Sequence, residues 1–244
     1  MASLIIMRAR LPVVTTNGVA ANSDNLKTPD PKEIYSGNAQ YIFFDFGAAY
    51  EFDTAFIGYI GGAATSNAIG VNQGVNMSFT GQTGKATPTP GPTTARRRHA
   101  FAKFTAGTSR YWNISFWESF SVGIVVFGKS IQPAYGHEWG SRRGIRDMSQ
   151  VTPLRGGGFG IERGARAGGY EFTCGDLTDA EVQSLYDMVE DVGESAPVVV
   201  CRDPALAQPD LNNALHYGLL DRPEAYVREA PGMNSWSFRV KDWV

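Results

Sequence analysis

Little in this chain suits covalent chemistry. It has two cysteines, Cys174 and Cys201, and three histidines, His99, His137 and His216. The histidines are scattered, without partners at metal-ligand spacing, so structural roles are the simpler expectation and no metal site follows. Neither cysteine has a His or Lys beside it to lower its pKa, and no nucleophile elbow is present. Charged residues make up only 19% of the chain, and the net charge of −2 excludes a generic nucleic-acid binder. No apolar run approaches the roughly 20 residues that span a bilayer, so membrane insertion is not expected. Leu4-Ile5-Ile6-Met7 is too short for a secretory leader, and in a chain kept in the cytoplasm both thiols should be reduced and buried. An enzyme is not expected, nor a cofactor.

What the chain has is turn chemistry and aromatic strands. Its 28 glycines and 13 prolines suit many short strands joined by turns, and 43% apolar residues allow a sizeable core. Ser3 to Val14 reads as a first strand, followed by a polar loop to about Gly37. Gln40 to Gly47 is a dense aromatic strand, and Phe52 to Ile60 a second. Gly61 to Gln73 reads as a long loop and Val75 to Thr80 as a further strand. Gly81 to Thr94 is an exposed loop, ended by Arg96-Arg97-Arg98-His99. Strands return at Phe101–Phe104, Arg110–Trp117 and Val122–Gly128. Even spacing of this kind implies a β-sandwich or jelly roll.

Past the junction at Gln132-Pro133-Ala134, the charge balance reverses. Up to Pro133 there are 11 basic and 7 acidic residues; after it there are 11 and 17. His137 to Gly169 reads as a loop rich in glycine and arginine. Its Gly156-Gly157-Gly158-Phe159-Gly160 run lacks the helix that a phosphate cradle needs behind it. Leu177 to Gly193 is the one clear α-helix. Thr178 and Glu181 form a capping box, Leu177 and Val182 a hydrophobic staple, and Gly193 the C-terminal stop. Val182, Leu185, Tyr186, Val189 and Val192 form its apolar stripe, while Asp187 and Glu190 stay on the wet side. Strands flank it at Tyr170–Cys174 and Pro197–Cys201, and three more follow at Leu215–Leu220, Ala225–Glu229 and Ser235–Val240.

Two resemblances follow from these segments. Phe43-Phe44-Asp45-Phe46-Gly47 with Phe52 to Tyr59, Arg110-Tyr111-Trp112-Asn113-Ile114 and Val122 to Gly128 resemble galactose-binding-like (discoidin, coagulation factor 5/8 C-type) domains over residues 1–133. Gly123 stands where that family often has Glu, and the family's loop binding residues do not carry over. Tyr170–Cys174, the helix, Pro197–Val200, Arg202-Asp203-Pro204 and Asn234-Ser235-Trp236-Ser237-Phe238 resemble distal tail and minor tail proteins of long-tailed bacteriophages over residues 134–244. The resemblances imply a mainly β chain of two domains. The first is a galactose-binding-like jelly roll, and the second a tail-tube-like β-sandwich flanked by one α-helix.

The implied function is structural. The chain would form part of a phage tail tip or baseplate, assembled in the host cytoplasm and carried in the virion. Its partners would be copies of itself in a ring, together with tail-tip, tail-tube and hub proteins. Host-surface polysaccharide is a candidate ligand of the first domain, with Trp117, Glu118 and Tyr59 as candidate contacts, although a core role is simpler for each aromatic. Arg142, Arg143 and Arg146 facing Asp187 and Glu190 of a neighbouring copy are the candidate subunit contacts. Calcium in the jelly roll has no motif behind it. The competing expectation is a non-catalytic carbohydrate-binding module of a bacterial glycan-binding protein or carbohydrate-active enzyme.

Overall fold

A computed structural model describes residues 3–16, 22–37, 41–61, 68–95, 97–116 and 119–243. The chain is mainly β. Its first half carries β1 (Ile5–Arg8), β2 (Val14–Thr16), β3 (Tyr35–Gly37), β4 (Tyr41–Gly58), β5 (Gly70–Gly74), β6 (Thr83–Ala86), β7 (Ala100–Ser115), β8 (Phe120–Val122) and β9 (Ile124–Gly128). The second half carries β10 (Arg142–Asp147), β11 (Gln150–Pro153), β12 (Phe159–Glu162) and β13 (Arg166–Leu177). Helix α1 (Asp179–Val192) and β14 (Pro197–Cys201) come next, then the short α2 (Asp210–Asn213), β15 (Leu215–Leu220), β16 (Val227–Ala230) and β17 (Met233–Asp242).

The first half is a β-sandwich. Its main sheet runs β2-β4-β7-β5-β6, with β9 on the far half of β4, and β3 pairs with β8 in a small ribbon. Strands β4 and β7 are long enough to serve both layers because β4 breaks register between Asp45 and Tyr50. Gly47 makes that bulge, at φ +77°, and its N–H donates to Asp45 Oδ1 at 2.7 Å. Phe44, Phe46, Phe52, Trp112 and Phe127 fill the interior.

The second half is one antiparallel sheet in the order β1-β14-β15-β17-β13-β10, with β16 on β17 and α1 across one face. β1 belongs to this sheet: Ile5 pairs with Cys201 and Arg8 with Val198. The two sheets therefore do not divide at residue 133. The physical reason is double-sided burial. Leu4 and Ile6 join the core under α1, whereas Ile5 and Met7 join a third core. A strand buried on both faces needs apolar residues at every position, which Leu4-Ile5-Ile6-Met7 supplies. The third core joins the halves: Phe56, Phe101, Ile124 and Val126 from the sandwich meet Val199, Leu215 and Tyr217. Gly218 lets β15 approach Lys241, whose carbonyl stands where a Cβ would go.

Helix α1 carries the full capping box, with Glu181 N–H donating to Thr178 Oγ1 at 3.3 Å and Thr178 N–H to Glu181 Oε2 at 2.8 Å. Its buried stripe is Val182, Leu185, Met188 and Val192; Tyr186 instead lies half exposed. Cys174 and Cys201 are free and buried, on strands separated by β15 and β17, and burial pushes both thiols up to about 12.

Several segments differ from the sequence expectation: the loop to Gly37 holds β2 and β3 at its ends, and Gly81 to Thr94 carries β6 and buries Pro88 and Pro90. Val75 to Thr80 is turns, and the strand lies just before it, at Gly70–Gly74. The stretch from 142 to 166 is hairpin rather than loop: β10 pairs with β13 as an edge strand, and β11 with β12 as an isolated ribbon. Ile145 (80%), Phe159 (66%) and Ile161 (66%) are exposed on it, with Met148, Val151 and Leu154.

Candidate functional site

Trp117 and Glu118 lie outside the described residues. Tyr59 is described, and it lies part-buried where the two halves meet. It sits where β4 ends, at φ +57°, with its hydroxyl donating to the Trp243 carbonyl at 2.6 Å. Its ring meets the rings of His99 at 5.1 Å and Tyr217 at 6.4 Å. Burial pushes the phenol well above its ordinary pKa. Tyr59 therefore ties the two halves together while remaining part-buried.

Around it runs a buried polar seam. Asn212 Oδ1 accepts from the His99 N–H at 2.7 Å, and Asn212 Nδ2 donates to the Arg97 carbonyl at 2.7 Å. Asp242 takes Arg97 Nη1 at 2.9 Å on one oxygen and lies 2.9 Å from His216 Nδ1 on the other. A His–Asp pair raises the question of catalysis. His216 is 2% exposed, the Tyr170 ring stacks on it at 4.8 Å, and among the described residues no hydroxyl or thiol is hydrogen-bonded to it. The pair braces the seam. Likewise, no three His, Cys, Asp or Glu side chains group to hold a metal ion among the described residues.

The surface with binding chemistry lies on the outer face of β4, β7 and β5. Alternation sends Ile42, Phe44, Trp112, Ile114 and Val71 inward and turns their neighbours outward. In register on the outer face stand Phe43, Asn113 and Asn72, and beside them Tyr41, Ser115 and Gly70. A Cβ on Gly70 would displace the Ser115 hydroxyl. Phe79, from the turn after β5, sets its ring edge-on against Tyr41 at 3.9 Å and Phe43 at 5.2 Å. It is 53% exposed. Hydrogen bonds hold its turn: the Ser78 N–H donates to Asn76 Oδ1 at 3.0 Å, and Gln82 Nε2 donates to the Ser78 carbonyl.

The amides complete this surface. Asn72, part-exposed, donates through Nδ2 to Oδ1 of the fully buried Asn113 at 3.0 Å; among the described residues Asn113 Nδ2 has no hydrogen-bond partner. At the far edge Arg110 grips Asp45 with two bonds, at 2.6 and 2.7 Å. The arginine's hydrogen bonds hold the Asp45 carboxyl below its usual range, and that pairing fixes the end of the strand row.

The sequence marked Gln40 to Gly47 as an aromatic strand without assigning its inner and outer rings. Phe79 escaped detection because Val75 to Thr80 has strand composition. Arg142, Arg143 and Arg146 are exposed on β10, and Asp187 and Glu190 are exposed on α1. Among the described residues none of the five makes an ion pair within the chain.

Half of this chain is similar to carbohydrate-binding modules. One solved neighbour is chitosan-binding module 1, derived from a chitosanase/glucanase of Paenibacillus sp. IK-5. It is 13% identical and covers 49% of this chain and 97% of its own, at a TM-score of 0.38. The CBM32 module of AlyQ, in complex with 4,5-unsaturated mannuronic acid, is 20% identical over 48% of this chain and 94% of that one, with TM-score 0.39. A Clostridium perfringens module, CpGH89CBM32-6, is 11% identical over 48% and 92%, also at 0.39. These are resemblances of fold and carry no functional argument. No protein-family model matches the chain, and no curated protein does.

Proposed function

We propose that the chain is a non-catalytic carbohydrate-binding protein whose sandwich holds sugar on the outer face of β4, β7 and β5. The observation behind this reading is the cluster of Tyr41, Phe43 and Phe79, with the exposed part of the Asn72 amide on the same face. Sugar rings present C–H groups on one face, which pack on aromatic rings, and hydroxyls at the rim, which suit amides. An open surface of this size binds weakly, so repetition in an assembly would raise avidity through effective concentration. The test is a glycan array probed with the full chain. Binding to a defined set of neutral glycans supports the reading, and an array without signal at high micromolar protein overturns it.

A second reading is favoured by the hairpin. It takes the chain as a structural component of a phage tail tip or baseplate, displaying the sandwich toward the host surface. A two-stranded ribbon is marginal alone in water, and this one exposes Val151, Leu154, Phe159 and Ile161, with Ile145 and Met148 exposed just before it. Copies of the chain would cover them, with Arg142, Arg143 and Arg146 meeting Asp187 and Glu190 of the next copy. Negative-stain microscopy and mass photometry test this: rings support it, and a monomer at all concentrations counts against it.

A further inference from the structure

The second sheet has an open face that the sugar-platform reading does not use and whose Arg142 and Arg146 the assembly reading would give to a neighbouring copy. Helix α1 packs over β1, β13 and β17 on one side and leaves the edge strand β10 exposed, whereas the sandwich covers only β1, β14 and β15 on the other. What is left is a trough of about 750 Å³, within the ~300–1,000 Å³ of ordinary ligand sites.

Register gives the trough its shape. One row across the sheet is Arg142, Glu171 and Arg239; the next is Gly144, Gly169, Lys241 and Leu219. The glycine row is the floor. A Cβ built on Gly144 meets nothing within 4 Å, so the space above it is empty. Trp243 stands at one end, its ring stacked on Tyr217 at 6.1 Å and its N–H bonded to the Tyr217 carbonyl at 2.8 Å.

Charge gives it a preference. Glu171 and Asp221 are neutralised from within: Arg239 lies 2.7 Å from Glu171, and Lys241 lies 2.6 Å from Asp221. Arg142 and Arg146 remain, with no carboxylate partner among the described residues. They flank Gly144 at two positions on either side, about 13 Å apart along the strand. Arginine forks bind carboxylates with two parallel bonds, and Trp243 with Leu219 offers an apolar wall to a sugar's C–H face.

We infer that this trough binds a carboxylate-bearing oligosaccharide, a uronic-acid polymer in chemical class, at a site separate from the aromatic surface of the sandwich. A nucleic acid fits less well. Glu171 and Asp221 interrupt the basic track, and of the two aromatic residues lining the trough among the described residues Tyr170 is buried, which leaves Trp243 to stack on a base.

The experiment is calorimetric titration of oligogalacturonate into the full chain at low ionic strength. The expected result is binding that weakens as salt rises. It should fall at least about tenfold both in Gly144→Trp, which fills the trough, and in Arg142→Gln/Arg146→Gln. Phe79→Ala should bind oligogalacturonate as the parent does, which separates this site from the one proposed above. Melting temperatures check that each variant is folded. Absence of binding, equal binding by folded Gly144→Trp, equal displacement by inorganic phosphate, or equal affinity for a single-stranded oligonucleotide would each overturn the inference.

Discussion

Replacing Phe56 by alanine tests how the two halves are joined. The side chain is fully buried in the core shared by both, stacked on Tyr217 at 5.7 Å and 14° and tilted against His99 at 5.1 Å. Removing a phenyl ring from such a site costs the lost transfer energy plus a cavity, about 3–5 kcal/mol. Domains of ordinary stability have only about 5–15 kcal/mol to lose. The loss should fall on both halves at once, because Phe56 belongs to the sandwich and its neighbours Tyr217, Leu215 and Val199 to the second sheet. Chemical denaturation followed by tryptophan fluorescence and far-ultraviolet dichroism reads this directly. Trp112 reports the first half, and Trp236 and Trp243 the second. The expected outcome is one transition, coincident by both probes, moved to clearly lower denaturant. A biphasic curve with one phase at the parent midpoint would refute the shared core.

Two other perturbations have definite signs. Thr178→Ala removes the N-cap of α1 and should cost about 1 kcal/mol in thermal melts. Glu181→Ala should cost more, because Glu181 Oε1 also accepts from the Ala134 N–H at 2.7 Å, tying the junction to the helix. Burial holds the His99 imidazole down at about 3, against about 6.5 in an unfolded chain. Below that unfolded value the unfolded chain binds a proton that the folded chain refuses, so stability falls as pH drops. His99→Asn keeps an acceptor toward the Tyr59 N–H, whose bond to His99 Nδ1 is 3.2 Å. The variant should flatten the decline in melting temperature from about pH 6.5 to 5, and an unchanged slope would count against the assignment.

Much of this architecture was readable before any coordinates. Leu177 to Gly193 announced its helix because cap, staple and stop are local devices whose chemistry needs no partner. The aromatic strands announced themselves by alternation. Long-range pairing was less legible. Leu4 to Met7 looked like the first strand of the first domain, and only tertiary pairing assigns it to β14. The 142–166 stretch read as loop because its glycines and arginines carry no buried face to impose a period of two. Tyr59 shows the same limit at the level of a site. Its sequence neighbours place it at a strand end, where sugar contacts are common, but the Trp243 carbonyl that captures its hydroxyl comes from 184 residues away. Phe79 reached the candidate surface by a turn whose residues, Val75 to Thr80, have the composition of a strand.

The central claim is that Tyr41, Phe43 and Phe79 form a sugar platform, and titration of one array-selected neutral glycan into parent, Phe79→Ala and Tyr41→Ala chains addresses it most directly. Aromatic contacts of this kind contribute about 0.5–1.5 kcal/mol each. Each variant should bind roughly 2- to 12-fold more weakly, with its melting temperature close to the parent's because both rings lie on the outer face. Unchanged affinity in both variants would contradict the account.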